Sequence, residues 1–471
     1  MNRPFPESLT AAALLGTARS TLPLSDLHTA ATATTLDADP ATTLLAAAAL
    51  ESAFLAGAAT PTTTALPAPA DDDPRPALPD AAVERLRSML VVDSSLLPEW
   101  FDVATGFRAP PPLLAEVLDA ALRRTAHRDR LVEFAGPRGQ WLAARNPDWA
   151  PLRLPDPSDD EDWRHGSPAI RLRWFAALRD TDPEAATALL TAAWTSEKAD
   201  VRAALVSALA NGLGPGDEPL LERALDDRGG RVRQAAVGLL TRLPGSAFGQ
   251  RMAQRLRDWV SVSGTVVTVD LPDEFDDTAR RDGLDPRTAR RPDVLLTAAV
   301  QAAPLTVWSE FGVTPESLPY VTISEPFTDA TEFAWSSAVA LQGDADWALA
   351  LLRRHGTVST PVARHLPRDV VVARLLATPD GAVPDGNLLE VLPAPWPHDV
   401  AAAVLGAVYA ARAPLGELRH PIDLLGHRAP FEFQPVLSEA ATRAGNLDRL
   451  ALFAAAADVL THRRHLHQEL T

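Results

Sequence analysis

The chain has 471 residues, 44 basic against 61 acidic side chains, a formal net charge of −17 and no cysteine. This length allows two or three domains, each with its own core, and the lack of cysteine excludes disulfides, thiolate metal sites, iron–sulfur clusters and cysteine nucleophiles. The acidic balance argues against nucleic acid as the main partner, because phosphate binding draws on net basic surface.

Lys198 is the only lysine, and it stands in Ser196-Glu197-Lys198-Ala199. A P-loop needs its lysine in G-x-x-x-x-G-K-[ST], so a Walker-type ATPase is excluded. A pyridoxal-phosphate enzyme would have to use this one residue, beside a repeat helix, and no cofactor is expected. Met1 to Ser20 holds one early arginine, Glu7 and a short apolar patch, Ala11 to Leu15, which is too brief for a secretory segment. The uncharged stretches Ala401 to Ala411 and Leu44 to Leu50 fall short of the roughly 20 residues a bilayer span needs. A cytoplasmic protein with no membrane helix is expected.

Residues 1–60 read as an N-terminal helical region, with Leu9, Ala12, Ala13 and Gly16 at helical spacing and a second run from Thr42 to Leu55. A linker rich in proline and aspartate follows over 61–80. Helices return over 81–150, first through Val83, Leu86, Met89 and Leu90, then from Leu113 to Leu122, ending in the turn Gly136-Pro137-Arg138-Gly139. An acidic loop occupies 151–165.

The segment 166–260 carries an internal repeat. Ile170-Arg171 with Leu178, Val201-Arg202 with Leu209 and Val232-Arg233 with Leu240 recur every 31 residues, the mark of stacked helical hairpins. Val201, Leu205, Ala208 and Leu209 form one apolar stripe. Partner helices share the period, with Leu190, Leu221 and Met252 in one register and Trp194, Leu225 and Leu256 in another. Ser167-Pro168 and Asp182-Pro183 predict helix starts, with Asp200 and Asp217 as further caps. The next copy should begin at Ser263, but Thr265 to Val269 is strand-like, and Tyr320 to Ile323 is a second β-favouring run that could pair with it. A loop and short-strand insertion is therefore predicted over 261–325, and a C-terminal helical region over 326–471. The fold class expected is all-α, an α-solenoid of helical hairpins with a small β-rich insertion.

The run Asp226 to Leu239 resembles the second half of a HEAT-type repeat. In that family an aspartate six residues before the arginine forms an inter-helix ladder, which implies such a role for Asp227 and Arg233. Ser196 and His165 stand at that spacing before Arg202 and Arg171, so those copies depart from the pattern. More widely, Leu14-Leu15-Gly16-Thr17, Gly136-Pro137-Arg138-Gly139-Gln140-Trp141-Leu142, Asn146-Pro147-Asp148-Trp149 and the run from Arg171 to Met252 resemble an uncharacterised bacterial domain of unknown function of the DUF5691 type. The resemblance implies a HEAT-like fold, no catalytic residues, and partners among AAA+ ATPases of the MoxR type and von Willebrand A-domain proteins.

Several residues invite a functional reading. Arg171, Arg202 and Arg233 should form a column along one face, able to grip carboxylates or phosphates; the internal reading, that each bridges neighbouring helices, is favoured. From Arg228 to Arg257 there are seven arginines and no acid. Arg228, Arg231, Arg242, Arg251, Arg255 and Arg257 with Trp259 are thus the candidate partner-binding set, against a solvated face neutralised by Asp217, Glu218, Glu222 and Asp258. His462, His465 and His467 suggest a metal site only superficially, since the chain end reads as a frayed tail and no metal is expected. Asp270, Asp273, Glu274, Asp276 and Asp277 lack the glycine and terminal glutamate of a calcium loop. Gly212-x-Gly214-x-Gly216 has no preceding strand and reads as a hairpin turn. Of the eleven tryptophans, among them Trp141, Trp149, Trp174, Trp194 and Trp308, those on the repeat stripes read as core anchors, whereas Trp100, Trp163 and Trp396 could line a groove.

The expected function is that of a non-catalytic scaffold binding a protein partner. The alternative is a HEAT-like nucleic-acid-binding protein or DNA glycosylase built on Arg228 to Arg257 with Trp259 and Asp258.

Overall fold

The computed structural model describes residues 6–22, 24–34, 36, 38–57, 67–92, 94–284, 292–379, 381–443 and 447–470. The predicted linker residues 61–66 lie outside them. Helix accounts for 68% of the structure and strand for 3%, which makes the fold mostly helical with one small sheet. The chain divides into two compact units, Met1–Ala70 and Asp71–Thr471.

In the first unit, the helices Glu7–Leu15, Ala30–Ala33 and Pro40–Gly57 gather a small core of Leu9, Leu27, Ala33 and Ala47. Glu51 is fully buried there, and its carboxylate accepts hydrogen bonds from the Thr29 backbone N–H at 2.6 Å, the Thr29 hydroxyl at 2.8 Å and His28 Nδ1 at 2.9 Å. Burial pushes its pKa up, but the bonds from His28 and Thr29 outweigh burial and hold it below the ordinary value. The sequence showed Leu44 to Leu50 as a short apolar stretch, whereas the helix runs from Pro40 to Gly57 because Thr42, Thr43 and Ser52 interrupt the apolar run without breaking the helix. At 18 residues and mean hydropathy 1.3 it is, among the described residues, the one helix long and apolar enough to cross a membrane by length and composition.

The second unit opens with Asp80–Val92, Leu97–Val103, Leu114–Arg123 and Arg128–Ala143, packed on a core that includes Leu86, Trp100, Leu113, Leu118 and Leu131. Gly136-Pro137-Arg138-Gly139 is a kink within the last of these helices rather than its end. Gly136 sits at φ 61°, ψ −160°, a conformation open essentially to glycine alone, and Pro137 restarts the helix in a position that needs no N–H.

Three hairpins follow: Pro168–Thr181 with Pro183–Ala193, Ala199–Ala208 with Glu218–Ala224, and Gly230–Leu240 with Ala247–Trp259. The predicted registers are core positions, with Leu190, Leu221, Met252, Trp194, Leu225 and Leu256 all buried. Ile170 departs from its repeat and is 41% exposed, because Trp163, Trp174 and Phe175 fill the core where a preceding hairpin would pack. Ser167 and Asp182 cap their helices, accepting from the N–H groups of Ile170 and Ala185. Asp200 instead lies inside the first turn, and Asp217 turns inward to an arginine.

After Trp259 the chain leaves the hairpin pattern. Strands β1 (Val260–Ser263) and β2 (Val266–Val269) form an antiparallel pair, and β3 (Thr322–Ile323) adds in parallel to β2, with Val266 opposite Thr322 and Val267 opposite Ile323. Helix pairing then resumes without the 31-residue period: Pro292–Ala302, Thr328–Gln342, Thr360–Ala363, Gly386–Val391, Leu415–Arg428 and Leu447–Glu469 each touch the next of the series. One continuous apolar core runs from Trp163 to Leu460. The last helix ends against the start of the unit, where Leu466 and Leu470 join the core of the helices around Trp100.

Candidate functional site

The three repeat arginines form a connected series. Arg171 donates to the Trp163 carbonyl and to both carboxylate oxygens of Glu197. Arg202 donates to the Glu197 carbonyl and, at 2.8 and 3.0 Å, to both oxygens of Asp227. Arg233 donates at 2.7 Å to the Asp227 carbonyl. Each guanidinium thus ties a carbonyl of the segment just before its own helix, and the first two also fork onto an acid that precedes the next hairpin's first helix, a geometry that favours arginine over lysine. Glu197 and Asp227 are nearly buried, with side chains 8% and 4% exposed. Burial raises the Asp227 carboxyl, but the Arg202 fork and the Gly229 N–H outweigh it and leave it below the ordinary range. The ladder therefore runs one step differently from the expected Asp227–Arg233 pair: the Asp227 carboxylate serves Arg202, and only its carbonyl serves Arg233. Glu197 escaped the sequence reading because it stands five residues before Arg202, not six.

The basic stretch separates into two groups. On the helix Ala247–Trp259, Arg251 binds Glu222 at 3.0 Å and Asp282 at 2.7 Å, Arg255 binds Asp282 at 2.8 Å and Arg257 binds Glu310 at 2.7 Å. Arg281 adds bonds to Glu222 and Asp226. Asp282 is 1% exposed, so its charge is committed to these arginines. Trp259 is buried and packs edge-on against Phe275, with ring centroids 5.6 Å apart; its face is closed to a base or a partner. Arg228, Arg231, Arg233 and Arg242 are exposed. Of these, Arg231 approaches Asp200 at 3.6 Å with both side chains more than 80% exposed, a pair that water and salt screen.

The C-terminal histidines are not on a frayed tail. His467 Nε2 donates to the Glu99 carboxylate at 2.8 Å, beside a 2.7 Å bond from buried Arg463 to the same group, while Arg85 holds Glu469. Burial raises the Glu99 carboxyl, and Arg463 and His467 together bring it below its ordinary value. His462 and His465 are exposed, and among the described residues no three histidine or carboxylate side chains converge as a metal site. A cleft of about 730 Å³ opens beside this seam, lined by residues that include Asp102, His427, Arg428 and Phe431. Ser95, His427 and Asp423 lie nearby in an order suggestive of a catalytic triad. Both contacts, at 3.5 and 3.8 Å, reach the same nitrogen, Nε2, whereas a relay needs the serine and the acid on opposite ring nitrogens. Burial lowers the His427 pKa, and the geometry supports packing rather than proton transfer.

Gly212, Gly214 and Gly216 form the turn between the helices of the second hairpin. Beneath them lies Arg179, 1% exposed, which donates to the carbonyls of Pro183, Leu209, Asn211 and Gly212, to the Thr187 hydroxyl and to both oxygens of Asp217 at 2.9 and 3.0 Å. Positions 210 and 241 in the other copies are Ala210 and Thr241, so no period announces this residue. Trp100, Trp163 and Trp396, read as candidates for a groove, are buried at 0%, 9% and 1% exposure. The glycine- and tryptophan-containing blocks are also pinned internally. Gln140 bridges the Leu152 carbonyl and the Leu154 N–H, and Trp149 Nε1 donates to Asp119 at 2.8 Å.

Fold and side-chain chemistry together define a mostly helical protein of paired helices in which most of the described arginines make contacts within the chain. The profile of a family of unknown function, DUF5691, matches residues 8–470, and the chain belongs to that family. A search of curated proteins gives no match.

Proposed function

We propose that this protein is a non-catalytic scaffold, an α-solenoid of HEAT-like hairpins that binds another protein in the cytoplasm. The observation that carries the reading is the Arg171–Glu197 and Arg202–Asp227 series, which clamps successive hairpins to one another through nearly buried forks. Such clamps fix the spacing of exposed helix surfaces, which is what a repeat protein needs to present an extended binding face. The successive contacts of the helices from Pro292 to Glu469 support extension of the same arrangement beyond the sheet. The nucleic-acid reading loses its support with Trp259 buried and with Arg251, Arg255 and Arg257 held by carboxylates. The partner class implied by the family resemblance, an AAA+ ATPase of the MoxR type or a von Willebrand A-domain protein, is the specific form of the proposal.

The test is affinity purification of the tagged full chain from its native cells, identification of retained proteins by mass spectrometry, and reconstitution with the purified partner. A defined complex that survives gel filtration is expected. Failure of every retained protein to bind the purified chain overturns the reading.

A further inference from the structure

The third rung of the arginine series is open. Arg171 stacks over Trp163 at 4.4 Å and forks onto Glu197; Arg202 lies over Trp194 at 5.6 Å and forks onto Asp227. In the third copy the tryptophan position is Leu225, fully in the core, and among the described residues no carboxylate forks with Arg233. Its contacts are the Asp227 and Arg228 carbonyls, at 2.7 and 3.2 Å, both made by Nη1. The acid that closes each earlier rung stands 26 or 25 residues after its arginine. The corresponding places after Arg233 are Asp258 and Trp259. Asp258 is exposed and accepts from Gln254 at 3.1 Å, while Trp259 turns into the core as the chain becomes β1. The helix Ala247–Trp259 runs straight into β1 where the earlier copies turn, so Asp258 stays on an exposed helix face and does not close the rung.

The surroundings leave the open rung positive. Arg228 and Arg231 flank Arg233 and are exposed. The nearby acids are engaged elsewhere: Asp226 with Arg281 and Asp227 with Arg202. Among the described residues Asp200 pairs with Arg231 at 3.6 Å, 87% exposed, and the Asp227 carboxylate, which feels Arg233 at longer range, is forked onto Arg202. On a chain of net charge −17, Arg233, whose recorded bonds use Nη1 alone, forms a local site for an anion that can accept a fork, with Arg228 at the turn before it and Arg231 near it in the chain adding positive charge.

We propose that the open rung at Arg233, with Arg228 and Arg231 beside it, binds an acidic segment of a partner protein, an aspartate or glutamate of which takes the place that Glu197 and Asp227 hold in the closed rungs. The proposal rests on the scaffold reading and names the chemistry of its partner. A carboxylate is favoured over a nucleic-acid phosphate because both closed rungs take carboxylates and Trp259, the tryptophan of the basic stretch, is buried and offers no face to a base.

The test is fluorescence anisotropy of the full chain at low salt with a labelled octaglutamate peptide, octaglutamine and an eight-nucleotide single strand as the comparison probes. Octaglutamate should bind more tightly than either. Arg233→Gln should weaken it about tenfold, the worth of one charge-assisted fork. Arg233→Lys should lose most of that affinity while keeping the charge. Arg228→Gln, which removes a side chain with no internal hydrogen bond, should weaken binding with no change in thermal stability. Arg242→Gln, equally exposed but beyond the other end of the same helix, should have no effect. Equal losses at Arg242 and Arg233, tighter binding of the oligonucleotide, or no octaglutamate binding overturns the proposal. The scaffold reading is separable: a native partner still held by Arg233→Gln keeps the scaffold and removes the rung, whereas octaglutamate binding with no protein partner keeps the rung as an anion site and removes the scaffold.

Discussion

Removal of Arg179 is the most severe single perturbation that the repeat region offers. The guanidinium is 1% exposed and Asp217 3%, so neither charge has water to fall back on. Arg179→Met keeps much of the side-chain volume but takes their donor from the carbonyls of Leu209, Asn211 and Gly212. It leaves Asp217 with the Thr187 hydroxyl at 2.5 Å and the Gly214 N–H at 3.0 Å as its remaining partners. Stripping one member from a buried ion pair costs about 3–5 kcal/mol, and the lost carbonyl bonds place this case near the upper end. Asp217→Asn should cost less, about 2 kcal/mol, since the amide still offers an oxygen and Arg179 retains its carbonyl acceptors. In the double variant Arg179→Met/Asp217→Leu no charge remains buried, so its cost should be smaller than the sum of the single costs. Urea unfolding, with hydrogen exchange of the amides in 168–259 to assign the transition, measures all three. A cost below about 1 kcal/mol for Arg179→Met, or strict additivity in the double variant, would refute this account of the turn.

Three further outcomes follow from the same geometry. Arg202→Gln breaks a fork onto a carboxylate only 4% exposed and should destabilise by about 2–3 kcal/mol, whereas Arg233→Gln should cost under about 0.5 kcal/mol; equal midpoints in urea would show that the rungs do not clamp the hairpins. Gly136→Ala puts a Cβ 2.6 Å from Asp73 Oδ2 at a φ of +61° and should cost about 1–3 kcal/mol, read as a lowered melting temperature, with no change meaning that the kink relaxes freely. Asp227 and Glu99 are held below their ordinary pKa values, so the unfolded chain binds protons there more readily than the folded one. Their stabilisation is complete above the unfolded values of about 4 and is lost as the pH falls through the folded ones. Helix content followed by circular dichroism should accordingly drop on acidification below about pH 4, less steeply in Glu99→Gln; identical acid curves for the two proteins would remove the Glu99 seam from the account.

The repeat was legible because helical hairpins impose a period on apolar residues, and the positions Leu190, Leu221 and Met252 needed nothing beyond that period. Strand β2 and its pairing with β3 were legible from Thr265 to Val269 and Tyr320 to Ile323, where β-favouring residues replace the helical stripe, whereas β1, which continues directly from the helix ending at Trp259, was not. The polar framework was less so. Arg179, Glu197 and Asp282 bind residues that the fold brings near, at spacings set by turn geometry rather than by helix periodicity, so no local pattern marks them. Trp100, Trp163 and Trp396 illustrate the converse: position along the chain said nothing of whether a tryptophan faced a groove or the core. The C-terminal helix was misread as frayed because its anchors, Glu99 and Arg85, lie more than 360 residues away. For the binding set, charge density alone could not separate Arg251, Arg255 and Arg257, which acids from other elements neutralise, from Arg228 and Arg233, which have no carboxylate fork among the described residues, and Arg231, whose pair with Asp200 is exposed.

The scaffold reading is tested most directly by reconstitution of a purified complex. The tagged chain should retain a defined protein from native cells, and that protein, purified, should bind the chain in a complex of fixed stoichiometry by gel filtration with light scattering. A chain that binds none of the proteins retained with it, yet turns over a small molecule, contradicts the account.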